Sequence, residues 1–294
     1  MTFLIFGGTG QLGRTLADSL TQQGLTFLAP KSSEANIADL QEVLAISTEG
    51  VTTVINTAAW TDVNGAESQE TAAALVNTQG AKNVAILAER DGLALFHIST
   101  DYVFSGQRTT PWDENSEKNP RSVYGKTKAE GEDRTREENR SARIVRTAWL
   151  YSPYGKNFAK TMVKLALTSN NPVRVVNDQF GQPTSAKDLA TRLIDSASTQ
   201  LPGGIYHGTN SGVASWYEFA SEIFAELNLD AHRVVPISSS EFAQIAPRPD
   251  YSVLGHDAWS KVGIAPMRDW RTALSEVLPE IVAAVESEEL SNGI

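Results

Sequence analysis

The chain has 294 residues, a formal net charge of −10 and no cysteine. Without cysteine, disulfides and thiolate metal sites are excluded. An acidic surface repels phosphate backbones, which argues against nucleic acid as a partner. No run approaches the ~18 apolar residues of a membrane span. The opening MTFLIFGGTG lacks the basic start and long apolar stretch of a signal peptide. A cytoplasmic protein with no membrane partner is expected.

Taken in chain order, TFLIFG reads as a buried strand, Gln11 to Gln22 as a helix and LTFLAP as a second strand. VTTVINTAA is a third strand, and Thr71 to Glu89 has helical spacing. LALFHIST is a fourth strand, Tyr124 to Glu138 a helix and ARIVRTAW a fifth strand. Short β-branched runs alternating with helices predict a parallel sheet covered on both faces, the α/β doubly wound Rossmann class. After Trp149 the rhythm changes and Pro and Gly become frequent. Helices over 157–168, 187–198 and 215–227 alternate with the strands PVRVVND, GIYHGTN and VVPIS. The acidic tail EVLPEIVAAVESEEL reads as a helix with a solvated face. We therefore expect a dinucleotide-binding domain over 1–148 and a smaller mixed α/β substrate domain over 149–294. Segments of the second part can cross back to the first.

Gly7, Gly10 and Gly13 stand in GGTGQLG, directly after the first strand and opening the first helix. A tight turn needs positive φ, a backbone without Cβ can approach a pyrophosphate, and free helix amides can hold the anion. NAD-binding domains often carry an acid at the end of the second strand to hold the ribose 2′-hydroxyl. Here that strand runs into Pro30, Lys31, Ser32 and Ser33, with no carboxylate before Glu34. Lys31 and the serines suit a 2′-phosphate, which favours NADPH while leaving NADH possible. Asn36 and Ile37 are further cofactor-side candidates.

The sharpest signal is YGKTK. Tyr124 and Lys128, at i and i+4, share one helix face. A neighbouring ammonium favours the phenolate, so Lys128 is expected to lower the tyrosine pKa and ready it for proton transfer. Alone, this pair is common surface decoration. Two strand ends strengthen it, because ligand groups gather at the carboxyl ends of parallel strands. The fourth strand ends in STDYVF, which puts Ser99 and Thr100 where a hydroxyl can reach a substrate carbonyl. The third ends in NTAAWTD, whose small alanines permit close approach of a cofactor ring.

GGTGQLG, the Tyr124–Lys128 pair and STDYVF together resemble the extended short-chain dehydrogenase/reductase superfamily. More narrowly, NTAAWTDVNGAE, VYGKTKAEGE, RTAWLYSPYGKNFAKTM, VVNDQFGQPTS and RPDYSVL resemble the dTDP-4-dehydrorhamnose reductase family. The resemblance runs through nearly the whole chain. It implies reduction of the C4 ketone of a nucleotide-linked sugar by a reduced nicotinamide. Tyr124 would donate the proton, Lys128 would lower its pKa and bind the ribose, and Thr100 would hydrogen-bond the carbonyl. Gly7, Thr9, Gly10, Gln11 and Leu12 would line the pyrophosphate, and Ala58, Ala59 and Trp60 would run along the cofactor. Asp101, Tyr102, Trp149, Asn157 and Arg248 would contact the sugar nucleotide. Asn157 is equally suited to cap the helix that follows it.

Two positions depart from the family pattern. Asn64 and Gly65 stand where members often carry Asp and Lys, which removes a cation near the sugar or cofactor. Thr15 stands where some relatives carry a glutamate of a magnesium-bridged dimer. No metal is expected, and a monomer or weak homodimer is expected in place of a metal-bridged one. Three other readings stay open: a reductase of a related dTDP-4-keto sugar, an epimerase or dehydratase of the same superfamily, and a non-catalytic regulatory subunit of methionine adenosyltransferase. The dehydratase reading lacks the glutamate expected after Asp101, where Tyr102 stands.

Overall fold

The computed structural model describes residues 1–199, 201–242 and 244–292. Six strands form one parallel sheet: β1 (Thr2–Phe6), β2 (Thr26–Leu28), β3 (Thr53–Asn56), β4 (Ala94–Thr100), β5 (Arg143–Thr147) and β6 (Gly204–His207). Their spatial order is β2-β1-β3-β4-β5-β6. The chain leaves β1 for the edge at β2 and then crosses back to pair β3 with the other side of β1. The strand order therefore reverses at β1/β3, which opens a crevice beyond the carboxyl ends of those strands. β3 is buried along its whole length, as a strand covered on both faces should be.

β6 comes from far beyond Ala148. The helix Ala186–Ala197, which precedes it, packs against Gln11–Gln22, burying Leu189, Leu193 and Ile194 with Leu12, Leu16 and Leu20. Residues 186–199 and 201–207 thus return to the sheet. The rest of the second half has its own core. Helices Phe158–Thr168, Trp216–Glu226 and Trp270–Asn292 enclose Met162, Phe219, Phe224, Trp270 and Ile281. A parallel pair, Val173–Val176 with Val234–Ile237, belongs to this lobe. The acidic tail is helical, with Leu274, Val277, Leu278, Ile281 and Val285 spaced to bury one face. Among the described residues no helix is long and apolar enough to cross a membrane.

The helix expected over 71–89 is interrupted. Glu70–Ala74 leads into a π-helical turn, Leu75–Gly80, before Ala81–Arg90 resumes. The turn holds the buried Asn77. Its Oδ1 accepts from Trp60 N (2.8 Å), and its Nδ2 donates to Thr127 Oγ1 (3.1 Å). Asn77 thereby ties the loop after β3 to the helix Val123–Glu138. That helix approaches closely because Gly131 has no side chain; a Cβ there would lie 2.2 Å from Asn77 O.

A buried ion pair fixes the same helix to the sheet. Arg146 of β5 donates to both oxygens of Glu132, at 2.8 and 2.7 Å, and Ser99 of β4 donates to Glu132 Oε1 at 2.6 Å. Both charged side chains are 1% exposed. The Arg146 guanidinium and the Ser99 hydroxyl hold the Glu132 pKa low against the opposing pull of its burial, so the pair stays ionised. Glu132→Ala should cost about 3–5 kcal/mol, because it strands a buried guanidinium. Denaturant unfolding checks this, and a loss below about 1 kcal/mol would contradict the assigned role.

Candidate functional site

The crevice at the strand reversal is a cavity of ≈ 710 Å³. Its floor is the turn after β1. Gly7 has φ +81°, and a Cβ there would meet Ala58 N at 2.5 Å; a Cβ on Gly13 would lie 2.2 Å from Gly7 O. Gly10 N donates to Gly7 O (3.0 Å) and closes the turn. Thr57, after β3, braces it by donating its hydroxyl to Phe6 O (2.7 Å) and Gly7 O (3.2 Å). The helix Gln11–Gln22 starts here with no side-chain cap on its first turn. A backbone cradle with free helix amides suits the pyrophosphate of a dinucleotide. The cavity is also long enough to take its two ends, since it runs from Ser32, Asn36 and Ile37 to Tyr124 and Lys128.

Gly7, Thr9, Gly10, Gln11, Leu12, Asn36, Ile37, Ala58, Ala59, Thr100, Asp101, Tyr102, Tyr124, Lys128 and Trp149 all line this one cavity. Lys31, Trp60, Asn157 and Arg248 are not part of the lining. Lys31 is exposed, and Pro30 and Ser32 flank it at the wall. The Trp60 indole donates to Asp62 O (2.9 Å). Asn157 caps the helix Phe158–Thr168 through Oδ1, and its amide donates to Gln11 Oε1 (2.9 Å) and Ser152 O (2.8 Å). It acts here as a strut between the two halves. Arg248 donates to Tyr102 Oη and to Asn64 Oδ1, each at 3.1 Å. Sequence reading missed Thr57, Gly155 and Lys156, which also line the cavity. They lie inside NTAAWTD and RTAWLYSPYGKNFAKTM, but nothing in those motifs singled them out, because loops from distant parts of the chain bring them together.

The tyrosine and lysine differ from the simple expectation. Lys128 is 2% exposed, and its Nζ donates to Ile98 O at 2.6 Å. Burial lowers its pKa to about 8, with Glu132 pulling it back up. The Tyr124 phenol is pushed above its ordinary value. Desolvation is the main cause, the Thr100 hydroxyl opposes it, and Asp101 and Tyr102 add to it. The fall expected from Lys128 is thus corrected: the lysine is engaged with the Ile98 carbonyl, and the phenol keeps its proton. Tyr102 packs edge-on against Tyr124, with ring centroids 5.5 Å apart. Its own phenol is pushed up to about 12 by burial, against the pull of Arg248.

Trp149 forms the far wall. It adopts φ +47°, which is unusual for a bulky residue. Its indole stacks on Trp216, with centroids 3.5 Å apart and planes 8° from parallel. Gly181 makes room on another side, where a Cβ would fall 2.5 Å from Trp149 Cε2. Strain of this kind persists where packing over-determines it, and it concentrates at ligand sites. Gly181→Ala should therefore displace Trp149 and cost about 1–3 kcal/mol by overpacking. Near-UV circular dichroism and denaturant unfolding read both effects; an unchanged aromatic spectrum with unchanged stability would contradict the contact.

Fold and cavity define a Rossmann-type protein of the extended short-chain dehydrogenase/reductase build, with a tyrosine–lysine pair at the end of a glycine cradle. The chain belongs to the family described as RmlD substrate binding domain, whose model matches residues 1–283. It is 40% identical to a dTDP-4-dehydrorhamnose reductase of Streptomyces griseus, over 95% of this chain and 93% of the relative. It is 43% identical to a probable dTDP-4,6-dihydroxy-2-methyloxan-3-one 4-ketoreductase of Streptomyces antibioticus, over 97% of each. Its fold is similar to that of a dTDP-4-dehydrorhamnose reductase from Bacillus anthracis solved in complex with NADP. That comparison has a TM-score of 0.90 and 35% identity, and covers 95% of this chain and 99% of the other.

Proposed function

We propose that the protein reduces the C4 ketone of dTDP-4-dehydro-β-L-rhamnose to give dTDP-L-rhamnose, using NADPH. One observation carries this reading: Tyr124, Lys128 and Thr100 line the same cavity as the Gly7–Gly13 cradle. The relatives that act on dTDP-linked keto sugars support the substrate class. The NADP-bound structural relative supports the cofactor.

Gly7, Gly10 and the first turn of Gln11–Gln22 would hold the pyrophosphate. Ala58 and Ala59 would pass along the cofactor, and Lys128 would hold the nicotinamide ribose with the N–H bonds not given to Ile98 O. When bound, the reduced nicotinamide supplies the hydride for the sugar C4. Tyr124 then protonates the oxygen that becomes negative, and Thr100 offers a second donor to it. A neutral phenol with a raised pKa is the correct form for this task, since an alkoxide is the stronger base. No acid reaches the cavity from the end of β2: Glu34 is exposed and accepts from Lys31 N at 2.8 Å. Ser32 and Asn36 line the wall there. That supports NADPH over NADH.

The relative from S. antibioticus favours a second reading, in which another dTDP-4-keto-deoxysugar is the substrate. Asn64, which meets Arg248 beside Tyr102, is one position where such a preference could arise.

With dTDP-4-dehydrorhamnose supplied, the product should be dTDP-L-rhamnose, and NADPH should be preferred to NADH in kcat/KM. Tyr124→Phe should lower kcat about a hundredfold or more, the scale of a lost general acid. Steady-state kinetics and NMR of the product check these outcomes. Near-normal turnover by Tyr124→Phe would reject the donor, and a strong NADH preference would reject the cofactor assignment.

A further inference from the structure

Asp101 sits where β4 ends and is 2% exposed, yet it lines the cavity. Among the described residues no lysine, arginine or histidine forms an ion pair with it. The two nearby cations are engaged elsewhere, Lys128 with Ile98 O and Arg248 with Tyr102 and Asn64. Its Oδ1 accepts from Thr100 Oγ1 at 2.9 Å. Its Oδ2 is buried and makes no hydrogen bond of normal geometry. A buried carboxylate without a cation is costly, and the usual relief is to carry a proton.

We propose that Asp101 is the proton reservoir of the site, resupplying Tyr124 through the Thr100 hydroxyl. The proposal rests on the reduction described above. Thr100 has a single hydroxyl proton. While Asp101 is ionised, that proton is committed to Oδ1. When Asp101 is protonated, the carboxyl donates to Thr100 Oγ1, and the threonine proton is released from Oδ1 to face the sugar oxygen first and, once that oxygen is protonated, Tyr124. As hydride reaches the sugar C4, the carbonyl oxygen takes the Tyr124 proton. A phenolate is left behind. It takes the Thr100 proton, and Thr100 takes the proton of Asp101. Ketone, hydride and carboxylic acid become alcohol and carboxylate, so atoms and charge balance. Asp101 recovers a proton from water through the cavity once product leaves.

The titration of Asp101 agrees. Burial raises its pKa to about 6, while the Ser252 and Thr100 hydroxyls hold it down. The groups facing it are Thr100 and Tyr102 on its own turn, Tyr124 on the helix and Ser252, with Arg248 held behind Tyr102. None of these is a cation in contact with the carboxylate.

Asp101→Asn tests the idea, since it keeps the volume and the acceptor for Thr100 but carries no transferable proton. We expect kcat to fall about tenfold or more, with NADPH affinity within about twofold of wild type. The wild-type kcat should decline as pH rises through the titration of this carboxyl, and the variant should lack that inflection. Stability gives an independent readout. A raised folded pKa means that ionisation opposes folding above the folded pKa and has no effect below the unfolded one. The variant should therefore have a higher Tm than wild type at pH values above about 6, a gap that closes as pH falls toward about 4. Near-normal turnover, or a loss of turnover that leaves the inflection in place, would overturn the relay. Tyr124→Phe measured in parallel separates the cases: if it keeps full turnover, the donor assignment fails; if it does not and Asp101→Asn behaves as wild type, only the reservoir fails.

Discussion

The site depends on one helix being held against the edge of one sheet. Tyr124, Lys128 and Glu132 follow each other at intervals of four residues and so share a face. Glu132 is the anchor, bound twice by Arg146 from β5 and once by Ser99 from β4. A turn earlier, Lys128 is tied to the carbonyl of Ile98. β4, which carries Ile98 and Ser99, ends in Thr100, and Asp101 follows it. A rotation of the helix that moved the phenol would also break the buried pair. A hydrophobic interface could hold the helix as tightly, but a bidentate ion pair fixes its register as well.

Around this anchor the molecule accepts local costs. Asp101 is buried without a cation, Tyr124 keeps its proton beyond its ordinary range, and Trp149 occupies a backbone region that bulky side chains avoid. Each unfavourable feature lines the same cavity. Elsewhere the sequence follows local rules: Ser215 and Glu218 form a reciprocal cap, and the tail helix buries a regular stripe. Strain and an unpaired buried carboxyl gathered in one crevice are what a reactive site in a sound fold should look like.

Much of this was legible from the residues. Strands β1, β3, β4 and β5 announce themselves by short β-branched runs, and the glycine turn by its position between strand and helix. The pairing of Tyr124 with Lys128 needs only helical geometry. β6 was readable as a strand from GIYHGTN, but not as part of this sheet, since no local pattern says which sheet a strand joins. The π turn that places Asn77 was hidden, because helical periodicity continues on both sides of it. The direction of the Tyr124 shift was also hidden. It follows chiefly from burial of the phenol, with Lys128 spent on the Ile98 carbonyl, a contact between residues 30 apart. Asn157 and Arg248 have the chemistry expected of ligand contacts, and in the fold they hold Gln11, Ser152, Tyr102 and Asn64.

The relatives from Streptomyces griseus and Streptomyces antibioticus are both named for dTDP-linked sugars, and the two sugars differ. The central claim is that the cavity joining the Gly7–Gly13 cradle to Tyr124 brings hydride to C4 of the sugar, with Tyr124 completing the alcohol. The most direct measurement uses NADPH carrying two deuteriums at the nicotinamide C4, followed by NMR of the recovered sugar nucleotide. A single deuterium at sugar C4, in one configuration only, is the predicted result. A product with deuterium at another carbon, or none at all, would contradict it.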